Sequence, residues 1–209
     1  MSANLEMNGS LIEWSVAARS ISGESVSGDL HVVKPFDHRV LVAVIDGLGH
    51  GPEAAAAARQ AAEILGGYEG ESIISLIKQC HQALKLTRGV VMVVAKMNNV
   101  ENTMTWLGLG NVQGRLLRAD PRATPSRESV LMRGGLVGYQ LPTLQVSVVP
   151  VAPGDLLILA TDGIQTAFAD EINLRETPQR IADKILVRHS KGNDDALVLV
   201  ARYRGGRHE

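Results

Sequence analysis

Val40-Leu41-Val42-Ala43-Val44-Ile45-Asp46-Gly47-Leu48-Gly49-His50-Gly51 runs directly into Pro52-Glu53 and a stretch of alanines. Six consecutive apolar, mostly β-branched residues predict a strand buried on both faces. The carboxylate, the three glycines within five residues and the proline that follows predict a strand end, a tight turn and a helix start. Asp46 thus stands at the mouth of a buried strand, where an isolated carboxylate is costly unless it finds a partner. Taken alone it reads equally well as a helix cap.

The chain repeats the arrangement. Leu156-Leu157-Ile158-Leu159-Ala160-Thr161-Asp162-Gly163 is a second apolar run ending in Asp-Gly, Asp29 opens a strand in Ser27-Gly28-Asp29-Leu30, and Asp194-Asp195 opens Ala196-Leu197-Val198-Leu199-Val200-Ala201. If these strands share one core, their polar ends converge on one rim. Carboxylates about 6 Å apart repel by roughly 3 kcal/mol per pair at an effective dielectric near 20, so such a cluster holds either protons or cations. With no His or Cys at matching positions, an all-oxygen donor set favours Mg²⁺ or Mn²⁺ over zinc.

Composition narrows the classes. The 209 residues, 45% hydrophobic, suffice for one domain with a sizeable core, and we expect a single domain over 1–209. A net charge of −1 gives no reason to expect nucleic acid or an anionic membrane as partner. No apolar run reaches membrane-spanning length. Glu6 and Asn8 do not fit the basic-then-apolar order of a signal peptide, and the Arg204 to His208 tail is too short for a binding arm. A single cysteine, Cys80, cannot form an internal disulfide, so a cytoplasmic setting is expected. Cys80 sits in a helical pattern and reads as core rather than nucleophile.

In order, strands are expected over Leu11 to Ala18, Leu30 to Val33, Val40 to Ile45, Val90 to Met97, Thr103 to Leu109, Val112 to Arg118, Ser129 to Arg133, Leu144 to Val149, the Asp162 run and Ala196 to Ala201. Pro35 to Arg39 reads as the turn of a hairpin that can bring Asp29 and Asp46 to one end. Helices are expected over Pro52 to Leu65, Glu71 to Leu86 and Pro178 to His189. Trp14 and Trp106 read as sheet core, and Asn111 as a turn residue. Nine or ten mostly antiparallel strands with two early helices and one late suggest an α+β fold, two sheets face to face with helices outside.

The order SGD, IDGLGHG, GLGNVQG, PGDLLILATDG, DDALVLVAR resembles the metal-dependent serine/threonine protein phosphatases of the PPM (type 2C) superfamily, and within it the compact bacterial sporulation and stress-response branch. The similarity runs from about residue 20 to residue 201. It implies a four-layer α-β-β-α sandwich with two Mn²⁺ or Mg²⁺ ions at one edge. By position, Asp46 would bridge both ions, the Gly47 carbonyl and Asp29 would hold the second, and Asp162 and Asp194 the first, with Asp195 the alternative to Asp194. Asp46 and Asp162 are then the catalytic pair. The implied reaction is in-line attack of a metal-bridging water on a phosphoserine or phosphothreonine. The resemblance further implies phosphorylated STAS-domain proteins of the stressosome as partners, and a monomer or weak oligomer.

Some features depart from the larger superfamily members. Ser25 and Val26 stand where those carry a phosphate-binding arginine, and Gly163 to Gly192 leaves room for one helix and little else, so that the flap other members hang beside the site is small or absent. His50, in the glycine turn, is a possible substrate contact, although turn histidines are usually solvated. Three other readings compete: a nucleotide site at GLGHG, weakened because its spacing is not G-x-G-x-x-G and an Asp precedes it; a non-catalytic binding module on the same fold; and a metal-dependent small-molecule phosphatase.

Overall fold

A computed structural model of the chain describes residues 11–24, 26–170 and 172–206. Glu6, Asn8, Ser25 and the end of the Arg204 to His208 tail lie outside these residues. The opening stretch forms β3 (Arg39–Gly47), antiparallel to β2 (Asp29–Phe36) on one side and β4 (Val90–Asn98) on the other. Beyond β4 the sheet continues through β5 (Thr103–Leu109) to β8 (Met132–Arg133), with β9 (Ser147–Pro150) also paired to β5. The second sheet runs β1 (Ile12–Arg19), β11 (Ala196–Tyr203), β10 (Leu156–Ala160), β6 (Gln113–Leu117), β7 (Arg127–Ser129).

The unbroken apolar run of β3 has a simple cause: its alternate side chains enter two different cores. Val42 and Val44 pack between the sheets with Val93, Trp106, Leu157 and Leu199. Leu41, Ala43 and Ile45 face α1 (Pro52–Gly66) and α2 (Ile73–Ala83), meeting Ala57, Ala61 and Ile77. The alanine face of α1 lets helix and sheet approach closely. On the far side α3 (Pro178–His189) buries Ile181, Ala182 and Ile185 against Ile158, Val198 and Val200. The result is the expected α-β-β-α sandwich.

Several local expectations are adjusted. The segment Ser129 to Arg133 is not one strand; the buried Val130 marks a crossing, so that β7 pairs antiparallel with β6 in one sheet and β8 pairs parallel with β5 in the other. The described strands therefore number eleven. The β2–β3 hairpin turns at Asp37-His38 rather than from Pro35, and α2 starts one residue after its N-cap Ser72, whose hydroxyl accepts from the Ser75 N–H. A short 3₁₀ helix, Thr166–Ala169, follows β10 and buries Phe168. Trp106 is core, whereas Trp14 is only partly buried and lies against His31 with ring centroids 5.7 Å apart. Cys80 is fully buried and burial pushes its thiol up to about 12, as expected of core and not of a nucleophile.

Candidate metal centre

The hairpin register sets Asp29 directly opposite Asp46 at the open end of β2 and β3. In the facing sheet β10 and β11 are antiparallel neighbours, so the residues that follow β10, Thr161 and Asp162, lie at the same end as the residues that precede β11, Asp194 and Asp195. Side-chain bonds tie the two sheets together at this rim. The Thr161 hydroxyl accepts from the Leu197 N–H at 2.9 Å and donates to Asp29 Oδ2 at 2.7 Å. Asp195 reaches across in the other direction, accepting from the Gly28 N–H at 2.6 Å and the Ile21 N–H at 2.8 Å.

The glycines beside these acids answer to packing. A Cβ at Gly47 would stand 2.3 Å from the Ala54 carbonyl oxygen, and one at Gly163 would stand 1.9 Å from that of Asp195. Asp-Gly recurs because helix α1 crosses one strand end and the β11 approach crosses the other; this close packing supplies a reason for glycine besides the sequence argument that its carbonyl nears a cation. Gly49 and Gly51 have φ of 84° and 80°, the left-handed region that favours glycine.

Electrostatics show how crowded the rim is. Asp46 is raised from 3.8 to about 8, first by burial and then by Asp29, Asp162, Asp194 and Asp195. Asp29 rises to about 7, again through burial first; the Thr161 bond opposes the rise while Asp195, Asp162 and Asp194 add to it. Asp162 is also raised, by burial and by Asp194, with Lys191 opposing. Burial first and mutual repulsion second raise these acids, and a set of hard oxygen donors of this kind fits the chemistry of Mg²⁺ or Mn²⁺. Among the described residues no three His, Cys, Asp or Glu side chains close on one point as a finished cage.

The two acids of the late pair occupy different settings. Asp195 is 3% exposed with both oxygens bonded to backbone N–H groups, so it anchors the β1–β2 loop. Asp194 is half-buried and, among the described residues, accepts from the Asp195 N–H. His50 Nδ1 lies 2.8 Å from Glu24 Oε1, tying the glycine turn to the β1–β2 loop rather than standing free. Asn111 does more than shape a turn: its Nδ2 donates to Asp162 Oδ2 at 2.6 Å. Thr161 was not singled out by the sequence reading, although a hydroxyl at the end of a wholly apolar run has to find partners there. Replacing Thr161 with Val should cost about 1–3 kcal/mol, since it strips partners from a buried N–H and a buried carboxylate, and should weaken divalent-ion binding by about 10–100-fold. Urea unfolding and a Mg²⁺ titration check both; no change in either would refute the clamp.

The profile of the family described as Stage II sporulation protein E (SpoIIE) matches residues 37–204. The chain belongs to the SpoIIE family. Among curated relatives, the phosphoserine phosphatase RsbX of Bacillus subtilis (strain 168) is 25% identical over 183 residues, 86% of this chain and 89% of that one. A chain solved in work on the bacterial stressosome, a modular system adapted to control secondary messenger signalling, superposes with a TM-score of 0.83 at 29% identity, covering 91% of this chain and 99% of that chain. RsbX in complex with magnesium superposes with a TM-score of 0.80 at 22% identity, covering 92% and 95%. The PP2C phosphatase domain of SpoIIE from Bacillus subtilis, solved with a fragment of its regulatory domain, gives 0.74 at 21%, covering 94% of this chain and 64% of that one. This SpoIIE-family chain has the PPM fold, and its enzyme class is that of the protein serine/threonine phosphatases.

Proposed function

We propose that this chain removes phosphate from phosphoserine or phosphothreonine on STAS-domain proteins of a stressosome, as a single catalytic unit in the cytoplasm. The observation that carries the reading is the rim itself, where Asp29 stands opposite Asp46 across the hairpin, Thr161 and Asp195 tie the two sheets together, and Asp46 is pushed up to about 8 by burial first and by four other carboxylates after it. Likeness to a chain from stressosome work at 29% identity supports the choice of substrate. Among the described residues no helix is long and apolar enough to cross a membrane.

Asp46, the Gly47 carbonyl, Asp29, Asp162 and Asp194 would hold two divalent ions, Mg²⁺ or Mn²⁺. When bound, such ions acidify a water for in-line attack on phosphorus and neutralise phosphoryl charge. Asp194 is preferred over Asp195 because the Asp195 oxygens already serve Ile21 and Gly28. Thr161 orients Asp29, and Asn111 orients Asp162. His50, paired with Glu24, has a structural part in the turn.

The test compares three substrates in Mg²⁺ and in EDTA: a serine-phosphorylated STAS-domain protein, free phosphoserine and an aryl phosphate. Metal-dependent release of phosphate is expected from the STAS-domain protein and the aryl phosphate, with the phosphoprotein preferred over free phosphoserine by kcat/KM. Preference for free phosphoserine would favour a small-molecule phosphatase, and inactivity on all three would favour a binding module.

A further inference from the structure

Of the seven large apolar side chains exposed among the described residues, three stand on loops that adjoin one another beside the carboxylate rim: Leu48 (51% exposed), Leu86 (101%) and Tyr139 (81%). The remaining four are Val100 between β4 and β5, Leu131 between β7 and β8, Val148 on β9 and Val187 on α3, and single exposed apolar residues of this kind are ordinary. The three loops are joined by hydrogen bonds. The Leu48 N–H donates to the Gly89 carbonyl at 3.1 Å, Val90 and Val137 exchange backbone bonds at 2.9 Å, and the Gly138 N–H donates to His81 Nδ1 at 3.0 Å. A Cβ at Gly138 would stand 2.8 Å from the Leu84 carbonyl, so the Tyr139 loop is pressed onto the loop that carries Leu86.

This surface is continuous with the metal centre. Leu48 is two residues from Asp46, and the Gly49 carbonyl lies 3.4 Å from the position of a Cβ on Gly28, whose N–H Asp195 holds. The surface also carries the charge that the rim lacks. Lys85 and Arg88 flank Leu86, both exposed, and the Arg88 guanidinium lies over Gly49 while pairing with Glu53 at 2.5 Å. A phosphorylated side chain with about −1.5 to −2 charge is repelled by aspartates and attracted by such a loop.

We infer that Leu48, Leu86 and Tyr139, with Lys85 and Arg88 beside them, form the docking surface for a folded phosphoprotein substrate. This rests on the protein-phosphatase reading above. The apolar side chains anchor the body of the substrate outside the site and the basic loop aligns its phosphate toward the rim, contacts that a free aryl phosphate is too small to make.

The experiment compares the parent with Leu86→Ser/Tyr139→Ser, exposed positions whose replacement leaves the fold intact. Steady-state rates are measured on a serine-phosphorylated STAS-domain protein and on an aryl phosphate, with light scattering to follow oligomeric state. The expected result is a rise in KM for the phosphoprotein of about tenfold or more, with its kcat and the aryl phosphate kinetics unchanged. Unchanged phosphoprotein KM overturns the docking surface, as does an equal loss on both substrates. A parent dimer that the substitutions dissociate, with no effect on the phosphoprotein, reassigns the patch to self-association. A parent active on the aryl phosphate alone overturns the substrate reading and the docking surface with it.

Discussion

Asp46→Asn is expected to lower kcat toward an aryl phosphate by about 10³-fold or more: in the role proposed for Asp46, loss of a ligand to the ions would remove several kcal/mol of transition-state stabilisation, and each ~1.4 kcal/mol is tenfold. Asn has nearly the shape of Asp, so β3 and its hairpin register are retained. The variant should even be more stable than the parent when metal is withheld. In the metal-free fold burial and four neighbouring carboxylates all penalise the charged form of Asp46, and an amide is free of that penalty. A phosphate-release assay together with thermal unfolding in EDTA checks the two halves of this expectation. Retained turnover would refute the assignment of Asp46, and a large drop in Tm would mean that its carboxylate is structural.

The second large effect concerns metal withdrawal and pH. Asp29 and Asp46 have folded-state pKa values raised from 3.8 to about 7 and about 8. For an acid shifted upward, the folded state binds protons more tightly than the unfolded state. Stability therefore falls as pH rises from the unfolded value through the folded one, and the destabilisation is complete only above about 8. In EDTA, Tm should be lower at pH 8.5 than at pH 5.5; a net contribution of about 3 kcal/mol from the pair corresponds to about 10 °C for a chain of this size. Saturating Mg²⁺ should remove most of that difference, because bound cations supply the countercharge that protons supply at low pH. A Tm in EDTA that is flat or rising across this interval would contradict the view that these acids are gathered against their own repulsion.

Most of the architecture was legible because the sequence signals were local and strong. Val40 to Ile45 carries a run that only a strand buried on both faces explains, and Pro52 stands in the first turn of α1, where its fixed φ suits a helix start. The convergence of Asp29 and Asp46 follows from hairpin counting, and the structure pairs them directly. What the sequence did not reveal depends on long-range approach. Nothing local to Val130 says that the chain there leaves one sheet for the other, since that depends on which strand edges are free. The bond from Thr161 to Asp29 spans 132 residues, and that from Asp195 to Gly28 spans 167. Such contacts exist only once the two sheets have stacked. The same holds for Gly47 and Gly163, where the neighbour that excludes a Cβ comes from another element.

The account depends on the carboxylate rim being a binding site for divalent ions rather than a cluster neutralised by protons. Calorimetric titration of Mg²⁺ into metal-stripped protein at pH 8 tests this most directly, with Asp46→Asn titrated in parallel. Saturable binding to the parent, with proton release and with affinity lost in the variant, is the predicted result. A parent that takes up no Mg²⁺ or Mn²⁺, or a variant that binds as well as the parent, would contradict it.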